Sequence, residues 1–209
     1  MNKHQEIVKA FCQECMWAWV VYEQYLKLYE QGEVRLNLLD KIASSFFSDL
    51  NTIMKGYLLI QICKLTDPAY TLGKPNLTTN YLVEHLPWPP AVKDELLKTS
   101  LKLDSFRKYL VDARNKILSH NDLTTTVEGH AHGAFPAGEE KEFWDNLQNF
   151  INTAHGYYFG GIFPINAFTQ YDADDLIAAL NKSIDYDEYF ADKLDLKLIR
   201  RGKMTFKEA

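Results

Sequence analysis

Over the first 66 residues, apolar side chains recur at gaps of three and four, interrupted by Gly32 and Gly56. Ile7, Phe11, Cys15, Ala18, Tyr22, Tyr25 and Tyr29 form one series; Leu39, Ile42, Phe46, Leu50, Ile53, Tyr57 and Ile60 form a second. This is the period of an amphipathic α-helix, in which residues three and four apart share a face. Gly32 between the two series predicts an antiparallel helical hairpin. Asp67-Pro68 ends the second helix, because the proline ring disfavours helical backbone at the residue before it.

Residues 67–77 then read as a polar loop with Gly73 and Pro75. Thr78 or Thr79 supplies the hydroxyl cap of a short helix reaching His85. Pro87, Pro89 and Pro90 redirect the chain, and Pro90 suits the first turn of the next helix. That helix carries Val92, Leu96, Thr99, Leu103, Phe106, Leu110, Ala113 and Ile117 on one stripe. Residues 121–138 are the least regular segment, with room for a short β excursion at 123–127. Glu139 opens another helix bearing Phe143, Leu147, Phe150, Ala154 and Tyr157, which Gly160, Gly161 and Pro164 close. One or two short helices follow near 173–182 and 187–194, and then a basic tail with Lys193, Lys197, Arg200, Arg201, Lys203 and Lys207. Four or more amphipathic helices joined by short loops predict an all-α, up-down helical bundle with a long N-terminal helix and short C-terminal helices. The expected organisation is a single domain over 1–209, with a core at about 35–160 and an extension from 161.

Composition narrows the function classes. A chain of 209 residues buries roughly 70% of its unfolded surface, enough for a core without staples. Lys and Arg number 23 against 28 Asp and Glu, a net charge of −5, which argues against coating nucleic acid through a broad basic face. A local phosphate site remains open. Cys12, Cys15 and Cys63 are too few and odd in number for a disulfide framework, so a reducing compartment is expected. Gln13 and Glu14 break the first apolar run, and residues 16–22 are too short to span a bilayer. These features predict a soluble cytoplasmic protein without a membrane segment.

Candidate chemistry gathers at 111–122. The stripe Leu103, Phe106, Leu110, Ala113 and Ile117 continues three residues on to His120, so a titratable ring sits where the packing face runs out. Arg114 borders that face, and Asn115, Ser119 and Asp122 share the adjoining one. A cation, an amide, a hydroxyl and an imidazole thus surround one helix end. A plain structural role is the alternative: His120 caps the last helical carbonyls, and Arg114 pairs with Asp112 or Asp122 on a solvated surface.

Arg114-Asn115, four residues and then His120 near a helix end resembles the HEPN superfamily. Leu65-Thr66-Asp67 closing a long helix, followed by Arg114, Asn115, His120 and Asp122, looks like its abortive-infection AbiU-type branch, over roughly residues 35–160. The resemblance implies an all-α homodimer with two motifs facing each other across a cleft. Many members are metal-independent endoribonucleases of toxin–antitoxin, phage-defence or RNA-processing systems, and others only bind. It assigns Arg114 and His120 to catalysis, with Asn115, Ser119 and Asp122 supporting or binding substrate, and it calls for no metal and no cofactor. RNA, a second copy of the chain, and an antitoxin or regulatory protein are the implied partners. The residues suit that chemistry. Cleavage through the ribose 2′-OH needs a proton shuttle near neutral pH, which is histidine's range. It also needs a fixed cation on the phosphorane, which arginine's planar fork supplies. The product ends would be 2′,3′-cyclic phosphate and 5′-OH. A non-catalytic HEPN-like module binding RNA, nucleotide or a protein is the alternative function; a helical dimer with a purely structural motif is a third.

Other residues carry less. Cys12 and Cys15 lie inside a helix start and read as core. Glu128, His130 and His132 alternate and, with His155 or Asp122, offer ligands for Zn²⁺ or Ni²⁺, although a solvated loop over the cleft is the favoured reading. Trp17 and Trp19 differ by two positions, so one of them should leave the core stripe and mark a partner surface. The basic tail reads as a solvated end, with phosphate contact as the alternative.

Overall fold

A computed structural model of the chain describes residues 1–114, 138–166 and 172–190. Helix α1 spans Lys3–Tyr29. It opens with a reciprocal capping box, in which the Asn2 side chain accepts from the Gln5 backbone at 2.9 Å and the Gln5 side chain accepts from the Asn2 backbone at 2.9 Å. Its buried face is the predicted stripe with Cys12 and Leu28 added and Val8 in place of the half-buried Ile7: Val8, Phe11, Cys12, Cys15, Ala18, Tyr22, Tyr25, Leu28 and Tyr29. Burial pushes the Cys12 thiol up to about 12 and the Cys15 thiol well above its usual range, so both are core cysteines kept protonated.

Helix α2 spans Glu33–Thr66, and here the predicted stripe fails. Leu39 is buried, but Ile42, Phe46 and Ile53 face solvent, and Phe47, Met54, Leu58, Ile62 and Leu65 fill the core instead. The core positions Leu39, Ala43, Phe47, Leu50, Met54, Leu58, Ile62 and Leu65 themselves recur at steps of three and four, so the buried face keeps the helical period and lies mostly one residue out of phase with the expected series. Ala43, with φ −158° and ψ 70°, kinks the helix within that face.

The expected polar loop contains a small antiparallel hairpin, β1 (Tyr70–Thr71) and β2 (Lys74–Pro75). Leu72 and Gly73 turn it with φ of 48° and 76°, the paired left-handed conformation of a type I′ turn. The Asn76 side chain donates to Pro68 O and Thr71 Oγ1, both at 2.8 Å, and ties its base.

Helix α3 (Thr79–His85) starts where the sequence predicts, with Thr78 Oγ1 accepting from Tyr81 N at 3.1 Å. Helix α4 (Pro90–Ala113) has Pro90 in its first turn and buries Leu96, Thr99, Ser100, Leu103, Phe106, Leu110 and Ala113. Helix α5 (Glu139–Phe159) ends at a left-handed Gly160, as expected, but Tyr157 lies at the surface while Trp144 and Ile151 are buried. Ala173–Phe190 is one helix, α6, and not two short ones. The reading at 123–127 and the tail at 193–207 lie outside the described residues.

The result is an all-α bundle, with six helices among the described residues. Helix α4 packs chiefly on α5, and α1 packs on α2 and α5. Aromatic rings knit the layers: Phe11 meets Phe150 edge-on at 5.8 Å, and Tyr22 stacks on Trp144 at 4.8 Å. Trp19 packs against this core, whereas Trp17 is 54% exposed and donates to Tyr57 Oη at 2.7 Å. The expected split between the two tryptophans is therefore observed. Among the described residues, no helix is long and apolar enough to cross a membrane.

Candidate functional site

The site forms where α2 ends against α4. Pro68 forces Asp67 out of helical backbone, to φ −61° and ψ 161°. Facing it are Arg107 and Arg114, seven residues apart and hence two turns apart on one face of α4. Arg114 Nη1 donates to Asp67 Oδ1 at 2.9 Å and Oδ2 at 2.8 Å. Arg107 donates to Oδ1 through Nη2 at 2.8 Å and Nε at 3.3 Å. The three side chains are 21–24% exposed. Two guanidiniums share one carboxylate in a partly desolvated place, where their attraction to it is stronger than in bulk water.

Asn80 of α3 fastens the helix end. Its Nδ2 donates to Thr66 O at 3.1 Å and Asp67 O at 3.2 Å, two carbonyls at the helix end that lack an intrahelical partner, and reaches Asp104 Oδ1 at 3.4 Å. Its Oδ1 accepts from Ser100 Oγ at 3.3 Å. Burial raises the Asp104 carboxyl above its usual range, against the opposing pull of the Asn80 hydrogen bond and of Arg107 and Lys108. Burial likewise raises the buried Cys63 thiol, with the Arg114 charge pulling the other way. An open cleft of about 520 Å³ borders this junction, with Tyr70, Asn80, Asp104, Arg107 and Lys108 in its walls. A second cleft of about 380 Å³ includes Asp67, Lys64, Glu14 and Asn76.

Of the residues singled out from the sequence, Arg114 stands at the end of α4 with φ −56° and ψ −48°, its backbone N–H directed to Leu110 O and Val111 O. Asp67 is a carboxylate partner of its guanidinium; of the two expected partners, Asp112 is exposed and Asp122 lies outside the described residues. Asn115, Ser119, His120 and Asp122 lie outside the described residues, as do Glu128, His130 and His132. His155 is half-buried and occupied locally, with Nδ1 2.7 Å from Gly161 O and its ring stacked on Phe159 at 4.7 Å. Sequence reasoning missed Arg107, Asn80 and Asp104. A signal existed for the first: two of the chain's five arginines stand seven apart on one helix.

The helical bundle is of the HEPN class. The matching family model is described as AbiU2; it covers residues 1–179, and the chain belongs to the AbiU2 family. The match takes in α1 and part of α6, well beyond the expected 35–160. No curated protein and no solved structure matches the chain.

Proposed function

We propose that the chain is a metal-independent endoribonuclease of HEPN type, the effector of a phage-defence or toxin–antitoxin system, working as a dimer. The carrying observation is the clamp on Arg114: Asp67 holds the guanidinium at the end of the helix that leads into Asn115 and His120. An arginine held this way loses less freedom when it meets a phosphate and needs less reorganisation as charge develops on the phosphorane. His120 then exchanges the proton between the 2′-OH and the leaving 5′-oxygen. A single imidazole serves as base or acid at any moment, so two copies of the chain supply both.

The test is cleavage of a mixed RNA pool in EDTA. Wild type should yield 2′,3′-cyclic phosphate and 5′-OH ends. Arg114→Ala and His120→Ala should each slow cleavage by about 100-fold or more, with sedimentation confirming unchanged assembly. A His120→Ala chain that cuts as fast as wild type would overturn the assignment. A second reading, a non-catalytic HEPN-like module binding a partner protein, draws on the net charge of −5 and on the share of the Arg114 charge that Asp67 neutralises. It expects folded chains that leave RNA intact.

A further inference from the structure

We propose that the cleft between the β1–β2 hairpin, α3 and α4 is a subsite for an unpaired guanine base of RNA. This deepens the nuclease reading and rests on it for the choice of RNA as ligand.

Three groups line the cleft in a complementary arrangement. Tyr70, on the hairpin, is 46% exposed, and its ring is buttressed by His85 edge-on at 5.1 Å and by Tyr81 at 6.1 Å. A braced and half-exposed aromatic ring is the platform on which single-stranded bases stack. Asp104 also lines the cleft, and its one hydrogen bond among the described residues is the long contact from Asn80 at 3.4 Å. A carboxylate with acceptor capacity to spare matches a ligand edge carrying two adjacent donors. Guanine presents such an edge in N1–H and the N2 amine. Adenine and cytosine place a ring acceptor beside their amine, and uracil flanks its single donor with acceptors. Arg107 and Lys108, three and four residues after Asp104, bring donors to the same walls for the guanine O6 or a neighbouring phosphate.

Desolvation supports the match: the half-buried Asp104 carboxyl, raised by burial, gains most from donors that replace lost water. The position supports it too. Arg107 lines the cleft and also grips Asp67, the same carboxylate that holds Arg114, so a base in the cleft lies one ion pair from the catalytic cation.

The experiment uses the full chain and fluorescent heptanucleotides with 2′-fluoro riboses, which lack the nucleophile and stay intact. A central G, A, C or U is set in a uridine background, and affinity is read by anisotropy. The G heptamer should bind about tenfold tighter than the others. Tyr70→Ala should weaken all four. Asp104→Asn, nearly isosteric, presents one donor and one acceptor and should transfer the preference from G to A or C; its thermal unfolding verifies the fold. Equal binding of all four, absence of binding, or a G preference that survives Asp104→Asn would overturn the subsite. The two readings fail separately. A G preference without cleavage of natural RNA removes the nuclease and leaves the subsite, whereas Arg114- and His120-dependent cleavage without a G preference does the reverse.

Discussion

Two charge networks in this protein use the same side-chain types to different ends. One fastens α6 to the α1–α2 hairpin: Lys27 hydrogen-bonds Asp172 and lies 3.6 Å from Asp174 and 3.7 Å from Glu23, while Arg35 donates to Asp174 at 2.8 Å. The other is Asp67 between Arg107 and Arg114. Contact distances are similar, but the charge ratio is reversed. The α6 latch sets three carboxylates around two cations: Lys27 keeps two acids within reach when Asp172 is lost, while Arg35 pairs with Asp174. The α2–α4 junction centres two guanidiniums on one carboxylate in a partly buried place, so its loss takes a contact from both at once. Lys27 in the latch is spread over several acids, whereas the junction turns on Asp67.

The largest effect expected from this difference is that of Asp67→Ala. It should cost about 2–3 kcal/mol, read from the urea midpoint, because two mostly buried guanidiniums lose a carboxylate they share. RNA cleavage should fall with it, and Asp67→Asn should lower cleavage with a smaller loss of stability. A stability loss under about 0.5 kcal/mol, the value of an exposed pair, would erase the contrast between the networks. Arg107→Gln should cost about 1 kcal/mol and leave cleavage measurable, since Arg114 retains both oxygens of Asp67. The smallest effect belongs to the latch: Asp172→Asn should cost about 0.5 kcal/mol and leave cleavage unchanged. The latch also has a pH signature. The hydrogen bond from Lys27 holds the Asp172 carboxyl below its ordinary 3.8, so the unfolded chain binds the proton more readily. That contribution is present above pH 3.8 and is lost as pH falls through the folded value, and Asp172→Asn should flatten this part of the acid limb.

Much of the fold was legible because it follows from local rules. The cap at Thr78, Pro90 in a first turn and the helix end at Gly160 depend only on residues a few positions apart. The I′ hairpin went unread because Leu72 occupies a position that Asn or Asp usually marks. The face of α2 differs from the expected one because two adjacent stripes, Ile42, Phe46 and Ile53 beside Phe47, Met54 and Leu58, both carry apolar residues at helical spacing. Within the site, Arg114 was visible as part of a motif, and Asp67 as the end of a helix.

The sequence by itself determined the helical class, most of the helix boundaries and the arginine at the helix end, since periodicity, caps and prolines act through neighbouring residues. Only the tertiary structure decided which face of α2 is buried, that Asp67 serves two arginines 40 and 47 residues away, and that Asn80 and Asp104 meet beside them. Charge pairs across helices are set by packing angles and helix offsets, which a linear pattern does not encode.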